Sequence, residues 1–269
     1  MHHVELMPAS FLYTGQAGAT YARMASAGAY AKLRGVGLPK IAAQLAHETW
    51  RGAVCLGVGD GLLEDQLLRP LAPFRTLIVH NADLNMPVKL QDLAPAPTPA
   101  CFDLENVDTN LGPRSLRSGQ YIGTLLGYTF GNLHNTDQLL RSAGRWCDAL
   151  VLDTPLAHPA DPRLIGECWS SPEERAWLDA AQMAHHGAVW PVTNKIEHSS
   201  DGYVVRLVAR CNDKVVELLR FRRCTKEGWQ KRFAKCGWHA QCFVFEDGPP
   251  RITWVLRPEF LQQAGLSLT

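Results

Sequence analysis

Gly57, Gly59 and Gly61 stand at alternate positions after the small apolar run 53–56 and before Leu62-Leu63-Glu64-Asp65-Gln66-Leu67-Leu68. The run reads as a buried parallel strand, the glycines as a tight turn, and the leucines, at helical spacing, as a helix. A glycine turn lets a ligand approach the backbone because no Cβ intervenes. The helix start adds unpaired N–H groups. A dinucleotide turn needs G-x-G-x-x-G with its third glycine opening the helix. Here the glycines follow G-x-G-x-G, and Leu62 occupies the place of that third glycine. The spacing suits S-adenosylmethionine (SAM), held by Gly57, Gly59, Asp60 and Gly61. An ordinary strand-to-helix turn is the plain alternative.

A second informative stretch is 121–133. An apolar strand there runs into Gly127-Tyr128-Thr129-Phe130-Gly131-Asn132. Glycines and an amide at the carboxyl end of a central strand fit a ligand crevice, and the Asn132 amide both donates and accepts hydrogen bonds. The bland equivalent is a turn with a helix cap. Between these stretches, 75–83 reads as a strand. Asp83 is the candidate for a ribose diol, with His80 or Asn81 open as the strand end and a helix-capping role open for the acid. Asp103, after a short strand-like run, is the candidate for an adenine amino group. Tyr13 and Tyr30 belong to an alanine-rich segment, 9–34, that reads as a packing helix or as a lid facing a ligand.

The elements that must position these residues follow from pattern. The chain has 269 residues, 46% apolar and 20% charged, which suits a soluble globular protein built as one large domain or as a core with a smaller partner. A formal net charge of +1 gives no field for nucleic acid, and Arg220-Phe221-Arg222-Arg223 reads as a solvated strand end. No apolar run approaches a bilayer span. The N-terminal residues lack a signal-peptide pattern. The eight cysteines include no C-x-x-C pair, so reduced thiols and a cytoplasmic location are expected. His2-His3 and His185-His186 are adjacent pairs that do not easily share one tetrahedral metal, and no metal is expected. The expected partner is a small molecule, with neither nucleic acid nor membrane, and the chain is expected to be a monomer or weak homodimer.

Five strand–helix steps over 50–157 read as α/β. A proline-bearing loop spans 94–100. Ser171-Pro172-Glu173-Glu174 is a strong helix start. Segments 188–198, 203–211 and 215–222 form a meander with turns at Ser199-Ser200-Asp201-Gly202 and Asn212-Asp213. A helix from Thr225 and a closing hairpin, 238–246 with 251–256, end the core. The fold expected is a class I Rossmann-like SAM methyltransferase core with a terminal antiparallel hairpin. The domains read as 1–49 and 158–218 for a smaller α+β substrate domain, with 50–157 and 219–269 for the core.

The chain resembles the histidine-specific SAM-dependent methyltransferase family, which includes ergothioneine-pathway histidine N-methyltransferases and dimethylallyltryptophan N-methyltransferases. Gly127 to Asn132 is similar to the family's Gly-Ser-x-Ile-Gly-Asn signature. Phe11-Leu12-Tyr13 with Gly18, and Tyr30, are similar to its N-terminal tyrosine elements, and 53–61 matches its glycine loop. The resemblance implies that Tyr13, Gly127, Tyr128 and Thr129 touch the cofactor, and that Asn132 and Tyr30 hold the substrate amine. It also implies that the N-terminal segment and the insertion pack together over the site. In the family a Glu-x-Ser pair holds the imidazole; matched through Arg223-Cys224-Thr225, those positions are Leu219 and Phe221 here. With Trp190 they imply an apolar wall opposite Asn132, and an apolar or aromatic amine, or a natural-product intermediate, as substrate rather than histidine. The expected reaction is direct methyl transfer from SAM to nitrogen, with Asp153 or a water taking the proton. The alternative is a SAM-fold binding module without catalysis.

Overall fold

The computed structural model describes residues 4–26, 37–59, 61–80, 90, 93, 97–100, 104–105, 120–127, 129–157, 171–211, 214–245 and 251–259. Strand β1, Val4–Leu6, has no expected counterpart in the sequence pattern. Helices α1, Ala9–Tyr13, and α2, Gly15–Ser26, follow. The chain breaks between them at Thr14, whose hydroxyl turns back to the Ser10 carbonyl at 2.6 Å. Helix α3, Leu38–Leu45, buries Leu38, Ile41, Ala42 and Leu45. Strand β2, Gly52–Cys55, is wholly buried and leads through the glycine turn to α4, Leu62–Leu68.

Strand β3, Thr76–His80, ends three residues before Asp83. The next strand, β4, Thr98–Ala100, falls where the prolines argue for a loop. Among the described residues it pairs with β3 alone, at the sheet edge, where the missing N–H of Pro99 is tolerated. Strand β5, Tyr121–Leu125, precedes α5, Thr129–Asn132, and α6, Thr136–Ala143. Strand β6, Ala149–Pro155, ends the parallel run.

Helix α7, Pro172–His186, opens on a full capping box between Ser171 and Glu174 and closes on Gly187 in the left-handed region. Strands β7, Val192–Ser199, β8, Gly202–Cys211, and β9, Lys214–Cys224, form the meander. Helix α8, Lys226–Lys235, is capped by Thr225, and β10, Trp238–Phe245, and β11, Arg251–Pro258, make the closing hairpin.

The seven-stranded sheet runs β10-β11-β6-β5-β2-β3-β4. Its central pairs are parallel, and β11 is antiparallel to both β6 and β10. Cores fill both faces. Val54, Leu56, Phe130, Trp229, Phe233 and Trp254 lie on one side. Ile41, Leu45, Leu67, Leu77 and Ile122 lie on the other. This is the α/β order of a class I methyltransferase fold.

A second sheet, β1-β9-β8-β7, joins β1 to β9 in parallel. One face packs Val205, Leu207, Leu218, Leu219 and Phe221 against Leu12, Trp177, Leu178 and Ala181 from α1 and α7. The two sheets meet where Leu156 bridges Cys224. No helix of the described residues is long and apolar enough to cross a membrane.

Candidate functional site

Gly57, Gly59 and Gly61 all have positive φ, +60°, +61° and +76°, a conformation costly for side chains. A Cβ on Gly59 would enter open space, with no atom of the described residues beyond its chain neighbours within 4 Å. One on Gly57 would press on Thr129 at 3.3 Å. The turn is therefore a backbone-lined cradle beside α5. It is fastened to β3 by the Val58 N–H on the His80 carbonyl, 3.1 Å, and the Gly57 N–H on His80 Nδ1, 3.1 Å. His80, at the strand end and 3% exposed, braces the glycine turn. Asp60, Asp83, Asp103, Tyr128 and Tyr30 lie outside the described residues.

Beneath the turn Glu64 is 1% exposed in the first turn of α4, where a carboxylate complements the helix dipole. Burial, and then this charge, push the Cys55 thiol well above its ordinary value. Asp153 is buried at the end of β6. It accepts from the Thr253 hydroxyl at 2.6 Å and from the Gly127 N–H at 3.2 Å. It thus orients the turn after β5.

Asn132 ends α5. That short helix approaches β9 closely because Gly131 has no side chain; a Cβ there would meet the Arg222 carbonyl at 3.1 Å. The Asn132 side chain hydrogen-bonds the Tyr13 hydroxyl. Burial, and then the neighbouring Tyr21, push the Tyr13 phenol far above its ordinary value, so it stays neutral. Tyr13 meets Tyr21 edge-on at 4.9 Å, and both rings contact Trp177, at 5.9 and 5.2 Å. The Trp177 indole N–H fixes α1 through the Leu12 carbonyl at 2.6 Å. Tyr13, expected on the cofactor, is thus found on Asn132, beside an aromatic cluster.

The wall formed by β9 differs from the expectation. Leu219 and Phe221, each 6% exposed, point into the core shared with α1 and α7. The residues of β9 that reach α5 and α6 are charged. Arg222 donates to the Thr136 hydroxyl at 3.0 Å. Glu217, 3% exposed, binds Arg220 at 2.8 Å and Arg206 at 3.4 Å, and stands 3.6 Å from His134 Nε2. Arg220 to Arg223 is therefore no solvated strand end. The physical reason is a β-bulge: Leu207 faces Leu219 while Val208 faces Glu217, so Leu218 is extra. By strict alternation Glu217 would share the face of Leu219; the bulge turns it to the opposite face, beside Arg220.

Glu105 accepts from the N–H groups of His134 and Asn135 at 2.7 and 2.8 Å. Burial, and then Arg220, hold the His134 imidazole below its ordinary value, against the opposing pull of Glu217 and Glu105. Trp190 packs against the edge of the core that holds Leu219 and Phe221. Its ring stacks on His186 at 4.5 Å, and its backbone N–H donates to the Gln182 side-chain oxygen at 3.0 Å. His134, Glu217, Arg206, Tyr21 and Trp177 are the residues that spacing did not single out. The nearest signal was the Glu217 carboxylate amid the otherwise apolar run 215–219.

No protein-family model matches the sequence, and no curated protein matches it significantly. Among solved structures, the chain is similar to a SAM-dependent methyltransferase from Clostridium acetobutylicum ATCC 824. The TM-score is 0.53 at 11% identity, over 90% of this chain and 98% of that one. It is also similar to the CurJ carbon methyltransferase, with a TM-score of 0.55 at 12% identity, over 93% of this chain and 61% of that one. At these identities the likeness is one of fold, and the fold is that of the class I SAM-dependent methyltransferases.

Proposed function

We propose that the chain is a SAM-dependent methyltransferase that methylates a small molecule, at an amine nitrogen. The observation that carries this is the junction of two features across α5. On one side lies a glycine cradle whose Cβ space is open at Gly59; on the other lies the Tyr13–Asn132 hydrogen bond. Gly57, Gly59 and Gly61 would hold the cofactor against bare backbone, with Gly127 and Thr129 flanking it. The buried Glu64 and Asp153 carboxylates suit a cationic ligand. Bound SAM would supply an electrophilic methyl group on a sulfonium.

The chain's own residues do the rest. Asn132 and Tyr13 hold the acceptor nitrogen, which lowers the barrier by fixing its lone pair in line. An amine attacks only when neutral, and the apolar surroundings of Tyr21 and Trp177 favour the neutral form. Asp153 or a water takes the proton. The aromatic cluster supports an aromatic or apolar amine or a natural-product intermediate. The Gly127 to Asn132 signature supports the finer resemblance to histidine-specific methyltransferases, which puts Tyr30 on the substrate amine as well. The protein would work in the cytoplasm as a monomer or weak homodimer.

The test is calorimetry with SAM, followed by transfer of labelled methyl to aromatic amines beside histidine. Tight SAM binding with turnover of an aromatic amine is expected. Binding without transfer to any amine would favour a non-catalytic module, and no SAM binding would end the proposal.

A further inference from the structure

Glu5, His185 and His186 each bring one metal-binding atom to within 4.8 Å of the other two. Glu5 lies on β1, and the two histidines form the last turn of α7. His185 Nε2 is 3.3 Å from Glu5 Oε1. Donor atoms around one tetrahedral zinc at its usual bond lengths stand roughly 3.3 Å apart. His186 Nε2 is buried and, among the described residues, has no hydrogen-bond partner. Protonated histidines at a helix C-terminus, with Glu5 as counter-ion, would explain the first contact. They leave the buried His186 nitrogen unexplained. Both imidazoles are held in place: Phe11 lies 4.5 Å from His185, and Trp190 stacks on His186.

We propose that Glu5, His185 and His186 bind one divalent transition cation, zinc by donor chemistry, with water completing the shell. Two imidazoles and a carboxylate suit a borderline cation rather than calcium or magnesium. The ion fastens β1 to the end of α7. Through Phe11 it also braces α1, whose last residue, Tyr13, meets Asn132. The role is structural. Adjacency in sequence argued against a shared metal, because the third ligand comes from the far end of the chain. The site stands whether or not the chain transfers methyl groups.

The test titrates Co²⁺, then Zn²⁺, into EDTA-treated full-length protein, reading visible absorption and native mass. One equivalent of Co²⁺ should bind with d–d bands, be displaced by Zn²⁺, and raise the melting temperature. Glu5→Gln and His186→Ala should each weaken binding by more than about tenfold. His239→Ala, an exposed histidine outside the cluster, should not. His2→Ala combined with His3→Ala should also leave affinity intact. The inference is overturned by absent binding in the parent protein, by undiminished binding in both Glu5→Gln and His186→Ala, or by loss confined to the His2/His3 variant.

Discussion

The glycine turn after β2 and the charged face of β9 lie on either side of α5, and they are built from different material. The turn is backbone: three glycines with positive φ and a brace from His80. The β9 side is made of side chains drawn from separate segments: Tyr13 from α1, Asn132 and His134 around α5, and Arg206, Glu217 and Arg220 from the second sheet. A site of bare backbone admits one kind of change, the addition of a Cβ. A site of converging side chains can be altered one contact at a time.

That contrast can be broken most severely at Gly59. Gly59→Val puts a branched side chain at φ +61° into the open space above the turn. SAM affinity should fall by more than ~100-fold, roughly 3 kcal/mol, while the fold persists. Calorimetry with circular dichroism decides; wild-type affinity would remove the turn from the ligand site. On the β9 side, Glu217→Gln should act on stability. It leaves Arg220 and Arg206 without their buried counter-charge, and partial exposure of the arginines keeps the loss near 3 kcal/mol. Chemical denaturation measures it, and SAM affinity of the folded protein should stay unchanged.

Asn132→Ala sharpens the division further. Methyl transfer should drop by about 2 kcal/mol in kcat/KM, the cost of an unmet buried hydrogen bond, with SAM binding little altered. Equal losses in both would place Asn132 on the cofactor instead. Tyr13→Phe removes one neutral hydrogen bond and should cost about 1 kcal/mol in the same assay.

The smallest effect is in pH. His134 binds its proton less readily folded than unfolded. The unfolded chain therefore holds more protons below about pH 6.5, and stability falls as pH drops through that range. Melting temperatures of the parent and His134→Gln should converge above about pH 7 and separate below about pH 6. A constant offset across that range would mean that the imidazole does not titrate differently in the two states.

The backbone half was the more readable one. Alternate glycines after an apolar run, and the Gly127 to Asn132 stretch, state their geometry locally, since a tight turn demands residues without side chains. The strands and the closing hairpin were legible for the same reason, their periods being short-range. What could not be read depends on distant partners. Val4–Leu6 is too short to signal a strand without β9 beside it. Thr98–Ala100 pairs despite Pro99 because it lies at an edge. Leu219 and Phe221 came to the pocket wall only through the match at Arg223-Cys224-Thr225, which says nothing of the bulge at Leu218.

The parallel pairing of β1 with β9 also bears on how the chain is made. Residues 4–26 leave the ribosome long before residues 214–224, so the earliest strand and its two helices wait for a partner synthesised late. Until then the apolar faces of Leu12 and Ala17 have no sheet to cover them. Vectorial folding therefore cannot complete this part of the molecule piecewise. It closes only after the whole meander exists, a long-range closure of the kind that slows folding and invites chaperone contact with the nascent chain.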